Sequence, residues 1–156
     1  NPETWYLKAN CFYKLNNYPK TTATIEKALE INPENSHYQA VKGLSLFSEK
    51  KYPEALKYLT MSLKTNPQQA KTWCLKGFAE LYTLEFEKAL KSFDKTLTIK
   101  NNYLDAILGK AVILKRLERY EEALGYFRKL QNAKPEDSYI NKCLRECIIA
   151  INKSPT

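Results

Sequence analysis

The chain has 156 residues, a length that suits one domain, and its 11 tyrosines and 4 glycines exclude a linker or low-complexity sequence. Its net charge of +8 is spread along the chain without a concentrated basic arm, which disfavours a dedicated nucleic-acid reader. No window carries the roughly 20 apolar residues of a membrane helix and no signal peptide is visible, so we expect a cytoplasmic location. Because the chain begins at Asn1, and its only methionine is Met61, we expect it to be a piece of a longer protein.

One set of residue types returns every 34 positions, as from Lys8 to Lys42. The repeating columns are a lysine (Lys8, Lys42, Lys76, Lys110), a small residue (Ala9, Gly43, Gly77, Ala111), an aromatic residue (Tyr18, Tyr52, Phe86, Tyr120) and a large apolar residue (Ile25, Leu59, Phe93, Phe127). A period of this length indicates a stack of supersecondary units rather than one globular core.

Each unit predicts two helices, because apolar residues follow helical spacing on both sides of a short turn. Pro19 and Pro53 stand where helices begin, and Pro33 and Pro67 stand just after helices end. The predicted helices are 3–15, 20–31, 36–49, 53–65, 70–83, 87–99, 104–117, 121–132 and 138–152. The predicted units are 2–35, 36–69, 70–103 and 104–137, followed by a terminal helix at 138–153. The short connections allow only antiparallel neighbours.

The last predicted helix is amphipathic and is expected to cap the stack. Its apolar face carries Ile140, Cys143, Leu144, Cys147, Ile148 and Ile151. A terminal helix of a repeat stack needs an apolar face toward its neighbours and a polar face toward water. The N-terminal end of the stack has no equivalent helix.

These columns resemble the signature of the tetratricopeptide repeat family. The third unit carries it most fully, with Trp73, Gly77, Ala89 and Phe93. The resemblance implies an all-α fold, an α-solenoid in which four helix-turn-helix units and a capping helix form a right-handed superhelix. The chain departs from the family at two columns. Lysine replaces the usual leucine before the small residue, and Asn16, Lys50, Leu84 and Glu118 replace the turn glycine.

The resemblance also implies a function. Members of the family bind peptide segments of partner proteins in a concave groove, and they are scaffolds or adaptors rather than enzymes. Carried over residue by residue, the groove positions are Tyr6, Asn10, Tyr13, Lys14, Leu44, Phe47, Lys71, Cys74, Phe78, Tyr82, Lys115 and Arg116, with His37, Val41, Leu81, Asp105, Leu108 and Val112 beside them. Apolar and aromatic residues dominate and basic ones lie at the rim, which favours an apolar or aromatic peptide with acidic flanks. The alternative is that several of these aromatic residues pack between repeats.

Phe47, Phe78 and Tyr82 are expected to form an exposed apolar stripe in this groove. A subset of the family grips chaperone C-termini with a clamp of lysine, asparagine and arginine. Here Asn10 and Lys71 stand at matching columns, whereas Tyr6, Val41 and Leu75 occupy the other three. We therefore expect no such clamp.

The sequence also allows two other modes of interaction, polyanion binding and self-association. The lysine column (Lys8, Lys42, Lys76, Lys110) could bind RNA or another polyanion as a regular positive stripe. The alternative, which we favour, is that each lysine lays its stem over the adjacent helix and keeps its ammonium group in water. The uncapped N-terminal end could also stack on a second copy and form a homo-oligomer.

Catalysis and cofactor binding are not expected. His37 is the only histidine, and the four glycines lie apart on helices, so neither a catalytic triad nor a phosphate loop is available. Cysteines at 11, 74, 143 and 147 lack the paired spacing of a zinc site, and we expect them to be reduced thiols.

Overall fold

The computed structural model describes residues 1–153 as nine helices and no strands. The helices are α1 (Pro2–Lys14), α2 (Tyr18–Ile31), α3 (Ser36–Ser48), α4 (Tyr52–Thr65), α5 (Ala70–Tyr82), α6 (Phe86–Ile99), α7 (Leu104–Arg116), α8 (Tyr120–Ala133) and α9 (Ser138–Lys153). Each helix packs against its neighbours in sequence, and each of α1, α3 and α5 also contacts the next odd-numbered helix. The odd helices therefore form the inner, concave layer of an all-α solenoid, and the even helices form the outer layer.

The turn inside each pair has the same geometry without a glycine. Asn16, Lys50, Leu84 and Glu118 all adopt the left-handed conformation, with φ between 57° and 62°. The next backbone N–H reaches back to close the helix end, as from Asn17 to the Phe12 carbonyl at 2.9 Å. This Schellman arrangement satisfies carbonyls that the helix leaves open. The turn is therefore specified by the backbone, although four different residues occupy it.

Small residues let the paired helices approach closely. A Cβ atom added to Gly43 would lie 2.7 Å from Leu59, and one added to Gly77 would lie 2.7 Å from the ring of Phe93. Both apolar side chains are fully buried. The column of small residues and the column of large apolar residues therefore pack against each other within a helix pair.

A repeated hydrogen bond, made from the position that Trp73 holds in its unit, ties units together. Gln39, Trp73 and Asn141 each donate a side-chain hydrogen bond of 2.7–2.8 Å to the carbonyl of the proline six residues earlier. The side-chain oxygen of Gln39 has no hydrogen-bond partner among residues 1–153, although the residue is buried. Since Asn141 makes the same bond as Trp73, α9 begins as the first helix of a further unit would begin.

The capping helix differs from its prediction in one respect. Ile140, Cys143, Leu144 and Cys147 are buried against the stack, but Ile148 keeps 42% of its surface exposed. The reason is that, within residues 1–153, α9 packs chiefly against α8, and this contact leaves part of its apolar side open.

Candidate partner-binding site

A cleft of about 380 Å³ opens on the concave side, between α1, α3 and the start of α5. Its lining residues are Tyr6, Asn10, His37, Ala40, Val41, Leu44, Gln69, Ala70, Lys71, Thr72 and Leu75. A volume in this range matches small-ligand and peptide side-chain pockets, which span roughly 300–1,000 Å³. The cleft is therefore large enough for one or two anchoring side chains.

The cleft combines an apolar floor with an unsatisfied polar rim. Val41 and Leu44 contribute apolar surface, whereas the side chains of Asn10, His37 and Lys71 make no hydrogen bond or ion pair within residues 1–153. His37 and Lys71 are exposed. These donors and acceptors are free to contact a ligand, and Lys71 contributes positive charge.

Four of the twelve predicted groove residues meet in this cleft, namely Tyr6, Asn10, Leu44 and Lys71. A fifth, Cys74, lies on the same helix as Lys71 but is only 4% exposed. Burial, followed by the nearby Asp105 carboxylate, raises the pKa of the Cys74 thiol to about 12. Cys74 is therefore a neutral packing residue, which leaves its thiol outside the polar rim.

The expected exposed stripe is exposed only at Tyr82. Phe78 packs edge-on against Phe93, with ring centres 5.1 Å apart, and is half-buried. Phe47 is also half-buried, because Tyr52 and Tyr82 contact its ring at 5.4 and 5.9 Å. Tyr82 stacks on Tyr52 at 4.8 Å and keeps 56% of its surface exposed. Aromatic packing, within repeats and from Phe47 to Tyr82 of the next repeat, thus half-buries two of the three predicted anchors.

The remaining predicted residues lie near the two ends of the groove. Tyr13 shares a hydrogen bond of 3.3 Å with Ser48, and Lys14 is exposed. Lys115 forms an ion pair with Glu146 of the capping helix and lies 3.6 Å from the Cys143 sulfur. Arg116 is exposed. These four side chains are not part of the cleft.

Sequence reasoning missed several cleft residues, among them Ala40, Gln69 and Leu75. The signal that could have revealed the cleft is the small size of Ala40. The same column holds Tyr6, Cys74 and Leu108 in the other units, so the second unit has the smallest side chain there and leaves space on the concave side.

The lysine column lies between helices and meets acidic partners. The ammonium group of Lys42 contacts Glu26 and the Tyr58 hydroxyl, each at 2.8 Å. Lys110 repeats this arrangement with Asp94 and Tyr126. Burial alone would lower the pKa of both lysines, but these contacts outweigh it and raise the pKa. The expectation that the ammonium groups lie free in water is wrong for both, because the preceding outer helix supplies a carboxylate.

The third lysine of the column is also paired. Lys76 contacts Glu80 one turn later on its own helix, and Glu80 is 2% exposed. Ser92 donates a hydrogen bond of 2.6 Å to the other oxygen of that carboxylate. Lys8 has no carboxylate partner within the described residues and lies over the rings of Trp5 and Phe12.

The sequence columns and the repeated pairing of helices point to one family. A tetratricopeptide repeat model matches residues 2–35, and a second tetratricopeptide repeat model matches residues 104–137. The chain is a tetratricopeptide repeat protein. Solenoids of this kind serve in general as scaffolds for interactions between proteins. None of the curated protein sequences matches the chain significantly.

Solved structures share the fold of this tetratricopeptide repeat protein. A crystal structure of MamA has a TM-score of 0.89 and 12% identity, over 97% of this chain and 82% of that chain. YrrB, described as a TPR protein with an unusual peptide-binding site, has a TM-score of 0.84 and 16% identity, over 95% and 76%. The Arabidopsis OM64 TPR domain has a TM-score of 0.69 and 23% identity, over 72% and 93%. At these identities the likeness shows the fold alone.

Residues 1–153 contain no group of three or more histidine, cysteine or acidic side chains that could hold a metal ion. Within the same residues, no helix is both long and apolar enough to cross a bilayer.

Proposed function

We propose that this tetratricopeptide repeat protein is a scaffold that binds a short segment of a partner protein in the concave cleft between α1, α3 and α5. The observation that carries the proposal is the rim of the cleft. Asn10, His37 and Lys71 converge there, and none of these side chains is used by the fold within the described residues. Buried or paired polar groups hold a fold together, whereas open ones around an apolar floor suit recognition.

The chemistry of the cleft indicates what the segment carries. An aliphatic side chain fits against Val41 and Leu44, and the ring of Tyr6 closes one side. A carboxylate, from an acidic residue beside that anchor, suits the cationic rim at Lys71. The segment is thus an apolar anchor with an acidic neighbour, bound in extended form along the inner helices. YrrB, described as a TPR protein with an unusual peptide-binding site, gives a precedent on the same fold.

The surroundings of the lysine column disfavour the alternative that the chain binds RNA or another polyanion. Lys42, Lys76 and Lys110 each have a carboxylate partner, so the column does not offer a stripe of free positive charge. The four cysteines are free thiols, and we propose the reducing cytoplasm as the location.

The experiment starts from peptides selected by display against the intact chain. The binding of a selected peptide is then measured by fluorescence anisotropy to the wild type and to Leu44→Glu. Leu44 belongs to no buried core cluster, so the variant should fold. The matched control is Leu84→Glu, because Leu84 is 66% exposed and Glu118 already occupies the equivalent turn position.

We expect Leu44→Glu to weaken binding at least tenfold, since it places a charge on the apolar floor. Leu84→Glu should leave the affinity unchanged, and Lys71→Glu should weaken acidic peptides more than neutral ones. Equal affinities for the wild type, Leu44→Glu and Lys71→Glu would refute the proposed cleft.

A further inference from the structure

A groove of about 340 Å³ opens on the convex side of the solenoid, between the outer helices α2 and α4. Its lining residues are Glu26, Leu29, Glu30, Pro33, Lys42, Tyr58 and Met61. The groove forms because the inner helices α1 and α3 contact each other, whereas α2 and α4 lie farther apart on the convex side. Its walls and its floor all belong to the first two repeats, so these repeats by themselves create the opening.

Two positions of this groove depart from the pattern of the repeats. Met61, the only methionine of the chain, stands in a column that the other units fill with Lys27, Lys95 and Lys129. Glu30 stands in a column that the other units fill with Lys64, Thr98 and Asn132. An apolar side chain and a carboxylate therefore occupy positions that are basic or neutral and polar elsewhere.

The equivalent groove between α6 and α8 shows the effect of this departure. It is lined by Asp94, Lys110 and Tyr126 at the positions of Glu26, Lys42 and Tyr58, but its volume is only about 120 Å³. The ammonium group of Lys129 lies 5.5 Å from the ring centre of Tyr126. Met61, at the position of Lys129, brings no charge to the groove and keeps 36% of its surface exposed.

The open charge of the groove is negative. Lys42 is paired with one carboxylate oxygen of Glu26 at 2.8 Å, and the other oxygen has no partner within residues 1–153. Glu30 is exposed and makes no hydrogen bond or ion pair within the same residues. A further cation, Lys57, lies 5.8 Å from the ring centre of Tyr58. Glu30 lies about one helical turn beyond Glu26, so its carboxylate is left for a ligand.

We propose that the groove between α2 and α4 is a docking site for a basic segment of a partner protein, in which an arginine adjoins an aliphatic side chain. The aliphatic side chain lies against Leu29 and Met61, and the guanidinium group pairs with Glu30. Arginine suits a carboxylate because its planar group donates two parallel hydrogen bonds. Methionine suits the apolar part, because its flexible thioether adapts to different side chains.

This groove and the concave cleft should select different ligands. The cleft has a cationic rim and its proposed ligand is acidic, whereas the groove has free carboxylates and its proposed ligand is basic. The groove proposal therefore does not depend on the cleft. Nucleic acid and anionic lipid fit the groove poorly, because their phosphates would face Glu26 and Glu30.

The test is an NMR titration of the intact chain, isotope-labelled for amide signals and methyl-labelled at methionine. The methyl signal of Met61 reports on the groove directly, and Met61→Leu assigns it. The probes are N-acetyl-Leu-Arg-Leu-amide and the matched N-acetyl-Leu-Glu-Leu-amide. Each is titrated against the wild type, Glu30→Gln, Glu30→Lys and Met61→Lys. Glu136→Gln, in the loop before α9, is the control for a general loss of negative charge. All these positions are exposed, and circular dichroism verifies that each variant is folded.

We expect the arginine peptide to shift the Met61 methyl and Leu29 amide signals saturably, and the glutamate peptide to leave them unchanged. Glu30→Gln should weaken binding about fivefold, the factor that about 1 kcal/mol of exposed ion pairing gives. Glu30→Lys should reverse the preference between the peptides. Met61→Lys, followed at the Leu29 amide, should weaken binding about tenfold, because it removes apolar contact and repels the arginine. Glu136→Gln should bind as the wild type does.

Four results would overturn the proposal. The first is no saturable shift up to the solubility limit of the arginine peptide, and the second is an equal response to both peptides. The third is a set of shifts confined to Asn10 and Lys71, which would put the peptide in the concave cleft. The fourth is a Met61 signal that moves with the concentration of the chain alone, which would make a second copy the occupant.

Discussion

The lysines between the helices and the polar residues of the concave cleft have opposite surroundings. Lys42 and Lys110 each contact a carboxylate and a tyrosine hydroxyl, so their charge is used within the solenoid. Lys71 and Asn10 make no such contacts within residues 1–153. The difference teaches that residue type alone does not mark a site. A lysine repeated in every unit has a packing role here, and one that occurs in a single unit faces the cleft.

The largest expected loss of stability comes from breaking the most buried ion pair, that of Lys76 with Glu80. Lys76→Met leaves the Glu80 carboxylate, which is 2% exposed, without its cation. Removal of one partner from a buried ion pair costs about 3–5 kcal/mol, so the free energy of unfolding should fall by that amount. Urea denaturation measures it. Lys71→Met is the control on the concave rim and should change stability by less than about 0.5 kcal/mol.

The double variant Lys76→Met/Glu80→Leu separates the cost of the unpaired Glu80 charge from the cost of lost packing. With both charges removed, stability should return to within about 1–2 kcal/mol of the wild type, because apolar replacement of a buried pair is often neutral. A double variant as unstable as Lys76→Met alone would show that the loss comes from packing and not from the stranded charge.

A smaller loss is expected at the glycines that surround Phe93. In Gly109→Ala the added methyl group would overlap the Phe93 ring, and overpacking of a core costs about 1–3 kcal/mol. Gly125→Ala is the matched control. Within residues 1–153, no atom beyond its own helix turn lies within 4 Å of its added Cβ, and replacement of a helix glycine by alanine should stabilise by about 0.5–1 kcal/mol. Thermal unfolding of both variants measures the contrast. Equal effects at the two glycines would contradict the close packing at Phe93.

The partly exposed ion pairs of Lys42 and Lys110 should make the stability of the fold depend on pH in the alkaline range. The contacts of Lys42 and Lys110 raise the folded-state pKa above its ordinary value of 10.5. The folded state therefore holds these protons more tightly, and the stabilisation is present below pH 10.5 and lost as the pH rises through the folded pKa. Lys110→Met should lose at most about 1 kcal/mol at pH 7, since Asp94 is 58% exposed. It should also unfold with a weaker dependence on pH above 10.5 than the wild type.

The smallest expected effect is a difference in reactivity between the exposed and the buried cysteine thiols. Cys11 is exposed, whereas Cys74, Cys143 and Cys147 are buried. Burial raises the pKa of the Cys147 thiol, and that of Cys74 to about 12, so few thiolates are present near neutral pH. A thiol reagent should therefore modify one cysteine quickly and the other three only on unfolding. Fast modification of two or more would contradict the packing of α5 and α9.

The sequence predicted the fold well because its strongest signals are repeated. The columns of small and large apolar residues, such as Gly77 with Phe93, set the helix pairs, and the observed helices lie within two residues of most predicted bounds. The cleft was harder to predict because it depends on an absence of bulk at Ala40, a single irregular position. The ion pair between Lys42 and Glu26 could not be predicted from the sequence either, because it joins residues of different repeats and requires the solenoid geometry.

The exposed aromatic stripe failed as a prediction for a related reason. A column places Phe47 and Phe78 on the inner side of their helices, but exposure depends on how the second helix of the same repeat packs against them. Tyr52 and Phe93, on those second helices, contact the two rings and leave both half-buried.

The most direct test of the central claim is amide chemical-shift mapping of the isotope-labelled chain during titration with a display-selected peptide. The concave cleft predicts that the largest shift changes occur at Asn10, Val41 and Lys71. Changes concentrated instead at Glu26, Tyr58 and Met61, on the outer helices α2 and α4, would contradict it.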